Sequence, residues 1–251
     1  MEKHHKDSIK NMITHYRENN EVTALILIGS VATGTQRTDS DIDAVAVVSE
    51  EYLQIKKEAN ELEEVVYGKC TYDGGYFNIH YMTREGLNEV ACNGTEPMRN
   101  MFSCADILYN DDPDISKLLP RIPVFQKDTS EEKRFRFYCT LKQFYGYFLV
   151  CCNPQGFMRV HIAAGMVYNL YRLILIENDV LFPSVRKLEE TVIRLQNKPD
   201  RIVEKANHFL KSLSEEDGLE IINSYEVWTT YDYPKDYQSI MNNFINPYDF
   251  D

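Results

Sequence analysis

The stretch LILIGSVATGTQRTDSDIDAVAVV, residues 25–48, contains two apolar runs joined by a polar segment. The first run ends at Gly29 and is typical of a buried strand, because it is short, continuous and apolar. The second run begins with Asp41 and Asp43, although strands disfavour Asp and a buried charge is costly unless something compensates for it. The segment between the runs is rich in residues that form turns. The sequence therefore predicts a strand, a turn and a second strand, with two carboxylates that need a partner.

The two aspartates are placed to bind a cation. Because Asp41 and Asp43 are two residues apart, their side chains on a strand leave the same face, about 6.6 Å apart along the chain. Carboxylates in this arrangement suit hard cations such as Mg²⁺, which keep phosphate oxygens as further ligands. Upstream, Gly29 and Ser30 follow a strand, where backbone N–H groups and a hydroxyl can contact a phosphate. We therefore expect a phosphate-binding loop that faces a metal site.

The spacing of these residues resembles a known signature. A strand, Gly29-Ser30, ten further residues and the sequence DID are characteristic of the nucleotidyltransferase superfamily typified by DNA polymerase β. The small-molecule branch of this superfamily includes the aminoglycoside and lincosamide nucleotidyltransferases. The resemblance is specific over residues 25–48, weaker over the rest of the first half and only general in the second half.

The resemblance implies a particular reaction. Gly29 and Ser30 would bind the β- and γ-phosphates of a nucleoside triphosphate, with ATP as the first choice, and Asp41 and Asp43 would hold two Mg²⁺ ions. A hydroxyl of the acceptor would attack the α-phosphorus in line, and pyrophosphate would leave. The metal ions would stabilise the entering and leaving oxygens and the charge that builds between them.

The third carboxylate of the superfamily is missing from its expected place. By position it belongs on the segment GGYFNIHYMT, residues 74–83, where the inward candidates are Asn78 and His80. We assign Asn78 as the third catalytic and metal-binding position, because its carbonyl oxygen can ligate a metal. Asn lacks the charge of Asp and cannot act as a base near neutral pH. His80 is better explained as a half-buried strand histidine bonded to a neighbour.

Three hypotheses account for Asn78. In the first, the residue silences catalysis while nucleotide binding persists. In the second, Asp73 in the preceding turn supplies the third acid. In the third, a carboxylate of the helical half, such as Glu177, serves as the base. The sequence leaves all three open.

One lysine of the second half is a further candidate. Lys142 lies on a predicted helix between Tyr138 at i−4 and Tyr145 at i+3, so the three side chains share a face. In some relatives a lysine from the helical bundle contacts the triphosphate. We therefore predict Lys142 as a nucleotide-binding residue, with a solvated lysine as the alternative.

The chain divides into a mixed first half and a helical second half. Strands are predicted at residues 21–29, 41–49, 65–70, 76–83 and within 105–112, and helices at about 5–19, 50–64, 84–91, 130–151, 158–177 and in further segments after Pro183. Pro120 and Pro123 mark the boundary. We predict an α+β protein with a nucleotidyltransferase domain over residues 1–119, a mixed sheet flanked by helices, and a helical bundle over residues 120–251.

Composition narrows the class of acceptor. Lys and Arg number 27 against 39 Asp and Glu, which gives a formal net charge of −12. An acidic surface repels nucleic acid and attracts cations, although acidity also simply keeps a protein soluble. The first hypothesis is therefore transfer to a hydroxyl of a small molecule, with a cationic, aminoglycoside-like antibiotic as the first guess. The alternatives are toxin-like transfer to a protein or tRNA, and a nucleotide-binding protein without activity.

Cysteine usage and hydropathy indicate the compartment. The six cysteines include no C-x-x-C pair, and scattered thiols suit a reducing environment. The most apolar predicted helix, HIAAGMVYNLYRLILI, contains Asn169 and Arg172 and is too short and too polar to span a membrane. We therefore expect a cytoplasmic protein without a membrane partner. A homodimer is left open, because some relatives build the acceptor site across a dimer.

Overall fold

The computed structural model describes residues 1–244, and the segment NPYDFD, residues 246–251, which the sequence predicts to be a tail, lies outside the described residues. The chain divides into two compact units, Met1–Val124 and Phe125–Asp251. Buried Arg99 donates hydrogen bonds to the carbonyls of Ile122 and Val124 at 3.1 and 3.4 Å, which ties this stretch to the first unit. That the halves are separate domains divided after residue 119 stays a prediction. Within the described residues, no helix combines the length and apolar character of a membrane span.

A five-stranded mixed sheet forms the centre of the first unit. Its strands are β1 Val22–Leu27, β2 Ile42–Val48, β3 Glu63–Tyr67, β4 Tyr76–Met82 and β5 Asp106–Asn110. They lie in the order β3-β4-β2-β1-β5, with β2 parallel to β4 and the other neighbours antiparallel. Helices flank this sheet and make up most of the second unit, so the predicted α+β class is confirmed.

Helices cover both faces of the sheet. They are α1 Lys3–Arg17, α2 Gly29–Thr33, α3 Glu50–Glu58, α4 Arg84–Asn93, α5 Glu96–Met101 and α6 Pro113–Leu118, followed by a 3₁₀ turn at Leu119–Arg121. On one face, Met12 of α1 packs in a core with Phe77 and Ile79 of β4. On the other face, Val45 of β2 packs in a core with Leu87 of α4. Thr83 is the N-cap of α4, since its side chain accepts a hydrogen bond from the N–H of Gly86.

The helix predicted over residues 50–64 is too long. Helix α3 ends at Glu58, and Asn60 adopts a left-handed conformation with φ of 58°, a common way to end a helix. Glu63 then begins β3, although the local sequence ANELEE contains good helix formers. Hydrogen bonding to β4 overrides that local preference. As a consequence, Glu63 lies on a strand beside the predicted site.

The second unit is helical throughout its described part. Its helices are α7 Ser130–Gln143, a π-helix Phe144–Cys151, α8 Phe157–Glu177, α9 Val185–Arg194, α10 Ile202–Ser212, α11 Glu215–Trp228 and α12 Tyr237–Asn242, preceded by a 3₁₀ turn at Lys127–Thr129. Helix α8 is central, since Leu170, Leu173 and Ile174 are fully buried. The helix predicted over residues 130–151 is continuous but changes to π geometry at Phe144.

Candidate active site

Strands β2 and β4 bring two of the predicted site residues together. Asp43 lies opposite Asn78 in the parallel register of the two strands, so both side chains leave the same face of the sheet. The Asn78 side chain donates a hydrogen bond from Nδ2 to Asp43 Oδ1 at 3.3 Å. Both residues are half-buried, so they are supported by the sheet and still accessible to a ligand.

The predicted phosphate-binding loop lies against the same carboxylate. Gly29 has a φ of +70°, and a Cβ at this position would lie 2.0 Å from Asp43 Oδ2. No other residue fits here without displacing the carboxylate or the backbone. The N–H of Ile28 donates to the carbonyl of Asp43 at 3.0 Å, which fixes the end of the first apolar run against β2. Ser30, half-buried, follows in the short helix α2.

Asp41 lies at the end of a loop that two other segments hold in place. His4 of α1 donates from Nε2 to the carbonyl of Thr38 at 2.9 Å, and the Tyr72 hydroxyl donates to the carbonyl of Ser40. Burial raises the pKa of the Tyr72 hydroxyl, so it remains a donor at neutral pH. The backbone just before Asp41 is therefore fixed by contacts from outside the signature itself.

Two neighbours of the site were not predicted from the sequence. Tyr76 begins β4, and a hydrogen bond to the Asp41 carboxylate raises the pKa of its hydroxyl. Glu63 of β3 accepts a hydrogen bond from Asn78 Nδ2 at 3.2 Å. Glu63, Val65 and Tyr67 occupy every second position of β3 and share one face. This spacing is a strand pattern that could have indicated the position of the glutamate. Two strand pairings bring Glu63 near Asp43: β3 pairs antiparallel with β4, and β4 pairs parallel with β2. Neither pairing can be predicted from the local sequence.

Two alternative acids have different surroundings. Asp73 lies exposed in the turn before β4. Glu177, in the second unit, accepts hydrogen bonds from the Tyr225 hydroxyl at 3.0 Å and the Thr229 hydroxyl at 2.9 Å. These bonds, and an ion pair with a neighbouring arginine, give Glu177 a structural task within its own unit.

Lys142 is paired inside the second unit. Its Nζ donates to Glu226 Oε1 at 2.8 Å, and the Tyr138 hydroxyl donates to the same oxygen at 2.7 Å. These residues line a pocket of about 330 Å³ together with Tyr231 and Tyr233. A phosphate would have to compete with Glu226 for this lysine, so the role of Lys142 in nucleotide binding stays a prediction.

The side chains around Asp43 fit a hard cation. Asp41, Asp43 and Glu63 supply carboxylate oxygens, and the Asn78 Oδ1 atom is buried and accepts no hydrogen bond in the described part of the chain. Oxygen donors of this kind suit Mg²⁺. Across residues 1–244, no three His, Cys, Asp or Glu side chains are arranged as a metal site by themselves. The Nδ2 group of Asn78 faces Asp43 and Glu63, so its Oδ1 atom would join these carboxylates around a cation only after the amide turns.

One part of the chain matches a known family of domains. Residues 10–73 match the family model described as polymerase beta, nucleotidyltransferase. This segment contains the Gly29 loop, both aspartates and β3, whereas Asn78 and β4 follow it in the chain. This part of the chain is therefore similar to a nucleotidyltransferase domain of the polymerase beta type.

Two solved structures are similar to this chain in fold. One is a nucleotidyltransferase-like protein from Exiguobacterium sibiricum, with a TM-score of 0.48, 11% identity, and coverage of 89% of this chain and 74% of that chain. The other is the spectinomycin adenyltransferase AAD(9) from Enterococcus faecialis, solved with ATP and spectinomycin, with a TM-score of 0.39, 13% identity, and coverage of 88% and 98%. No curated protein matches the sequence.

Proposed function

We propose that the protein transfers a nucleoside monophosphate from a nucleoside triphosphate, with ATP as the first candidate, to a hydroxyl of a small molecule in a Mg²⁺-dependent reaction. The observation that carries this proposal is the contact between Gly29 and Asp43, both within the matched segment, beside Asn78 on the neighbouring strand. This contact places a loop that can bind phosphates next to oxygens that can hold a cation.

Each residue has a defined task in this reaction. The loop at Gly29 and Ser30 binds the β- and γ-phosphates through backbone N–H groups and the hydroxyl. Asp41, Asp43 and, with its amide turned, Asn78 would hold Mg²⁺, and the bound ion would supply charge neutralisation for the phosphates.

The acceptor oxygen forms a bond to the α-phosphorus while the bond between that phosphorus and the bridging oxygen breaks. Pyrophosphate leaves with the electron pair of the broken bond, and the acceptor's proton passes to a carboxylate or to solvent. The chain's own residues hold the triphosphate so that the acceptor and the leaving oxygen are in line.

The charge of the chain supports a small cationic acceptor. The net charge of −12 opposes binding of a polyanion such as tRNA and favours an aminoglycoside-like molecule. We place the reaction in the cytoplasm, where ATP is available and the unpaired cysteines stay reduced.

A panel of acceptors tests this proposal. The full chain is incubated with ATP and Mg²⁺ together with aminoglycosides, other hydroxylated antibiotics, tRNA or a protein extract. We expect pyrophosphate release with at least one cationic small molecule, and a product heavier by one nucleoside monophosphate in mass spectrometry. Chelation of Mg²⁺ should stop the reaction. Labelling of tRNA or protein alone, or pyrophosphate release that survives chelation, would contradict the proposal.

A further inference from the structure

The loop that leads into Asp41 accepts hydrogen bonds from two distant parts of the first unit. His4, near the start of α1, donates to the carbonyl of Thr38, and the Tyr72 hydroxyl donates to the carbonyl of Ser40. Ser40 is buried and directly precedes Asp41 in the chain. The Ser40 carbonyl lies in the same rigid peptide plane as the Asp41 N–H and Cα atoms. A hydrogen bond to this oxygen therefore fixes the backbone from which the Asp41 side chain projects.

The Tyr72 ring is itself packed closely by other parts of the chain. Its centroid lies 4.6 Å from that of the His4 ring and 5.1 Å from that of His5, which is fully buried. The backbone also approaches this ring at Gly75, where a Cβ would lie 2.5 Å from Tyr72 Cε2. Glycine at position 75 thus makes room for the ring. Packing of this kind restricts the ring and keeps its hydroxyl directed at Ser40.

Hydrogen bonds join the chain just before this tyrosine to helix α1. Thr71 donates from its hydroxyl to the carbonyl of His4 at 3.0 Å and from its N–H to the Ser8 hydroxyl at 2.8 Å. Asn11 donates from its side chain to the carbonyl of Lys69 at 3.1 Å. The tyrosine is therefore supported by a helix of the first unit and does not depend on the loop that it contacts.

We propose that Tyr72 is a positioning residue for nucleotidyl transfer, which acts through the Ser40 carbonyl to set the direction of the Asp41 carboxylate. The inference rests on the function proposed above and adds a residue outside the signature. A second tyrosine supports it, because the Tyr76 hydroxyl makes a hydrogen bond to the Asp41 carboxylate. The turn between the two tyrosines thus contacts both the backbone and the side chain at this position. Loss of a group that orients a binding residue typically costs 10–100-fold in affinity or activity.

Calorimetric titration of the full chain with ATP, with and without Mg²⁺, tests this role without relying on activity. Tyr72→Phe keeps the ring and removes the donor to Ser40. We expect the ATP affinity measured with Mg²⁺ to fall about 10-fold. The affinity without Mg²⁺ should change by less than about twofold, because Asp41 would contact the nucleotide through the bound ion. A merely structural role would lower both affinities alike.

Tyr52→Phe is the matched control for this change. Tyr52 belongs to the same unit, is partly buried, and its hydroxyl accepts a hydrogen bond from Asn19 at 3.1 Å. It packs against the core that contains Ala44, on the face of the sheet opposite to Asp43. We expect the ATP affinity of this variant, with Mg²⁺, to stay within about twofold of the unchanged protein. Melting temperatures check that both variants are folded.

Gly75→Ala reaches the same contact by another route, because its Cβ would displace the Tyr72 ring and leave the hydroxyl in place. Its loss of Mg²⁺-dependent affinity should not add to that of Tyr72→Phe in the double variant.

Three results would overturn the assignment. If Tyr72→Phe binds ATP with Mg²⁺ as tightly as the Tyr52→Phe control, or loses affinity equally with and without Mg²⁺, Tyr72 is not a positioning residue and the proposed function stands. Fully additive losses in the double variant would contradict the assignment in the same way. If the unchanged protein does not bind ATP with Mg²⁺ at all, the assignment and the proposed function are both wrong.

Discussion

Replacement of Asp43 by Asn is expected to lower the rate of nucleotidyl transfer by at least about 10³-fold, since a metal site supplies several kcal/mol of transition-state stabilisation. Asp43 is the carboxylate that contacts both the Gly29 loop and Asn78, so its charge acts on the phosphates and on the cation together. Asn has nearly the same shape, so the strand pairing should persist. The measurement is the initial rate of pyrophosphate release with ATP and the acceptor that the panel identifies.

Asp39→Asn provides the matched control for this change. Asp39 lies in the loop just before β2, is exposed, and pairs with Arg37 at 3.0 Å. Its replacement therefore removes the same charge without touching the site. We expect the rate of this variant to stay within about twofold of the unchanged protein. A retained rate in Asp43→Asn, or equal losses in both variants, would show that Asp43 is not a metal-binding residue of the reaction.

Gly29→Ala is expected to lose both stability and nucleotide binding. An L residue at a left-handed φ costs about 1–2 kcal/mol, and forcing extra volume into a packed site adds about 1–3 kcal/mol. Here the added Cβ would meet Asp43 Oδ2 at 2.0 Å, so either the loop or the carboxylate must move. The free energy of unfolding in urea and the affinity for ATP with Mg²⁺ should therefore fall together.

The C-cap of helix α2 offers a control glycine. Gly34 has a φ of +71°, nearly the same as Gly29, but a Cβ there would meet no heavy atom within 4 Å. Gly34→Ala should therefore show the backbone cost of about 1–2 kcal/mol and keep its affinity for ATP. If the two alanine variants lose equal stability and both retain ATP binding, the contact between Gly29 and Asp43 is not important for the site.

The parts of the fold with a strong local pattern could be predicted from the sequence. The apolar run before Gly29 forms β1, and the alternation in YFNIHYMT places Phe77 and Ile79 in the core and Asn78 on the opposite face of β4. Thr83 and the acidic Glu85 stand at the start of α4, which is a local sequence pattern typical of a helix N-terminus. In each case the signal lies within a few residues of the element that it predicts.

The parts that could not be predicted depend on contacts between distant residues. Strand β3 was assigned in part to a helix, because ANELEE favours helix locally and only pairing with β4 makes it extended. The relation of Glu63 to Asn78 follows from that pairing and from a diagonal reach across it. The signature contains Gly29 and Asp43 as two separate residues. The structure shows that position 29 must be glycine because a Cβ there would collide with the Asp43 carboxylate.

Calorimetric titration of the full chain with ATP, in the presence and absence of Mg²⁺, tests the central claim most directly. The claim is that the Gly29 loop and the carboxylates beside Asn78 form one site for a metal-bound nucleoside triphosphate. We expect clear binding with Mg²⁺, much weaker binding without it, and loss of the Mg²⁺ effect in Asp43→Asn. Absence of ATP binding under both conditions, or equal affinity with and without Mg²⁺, would contradict the account.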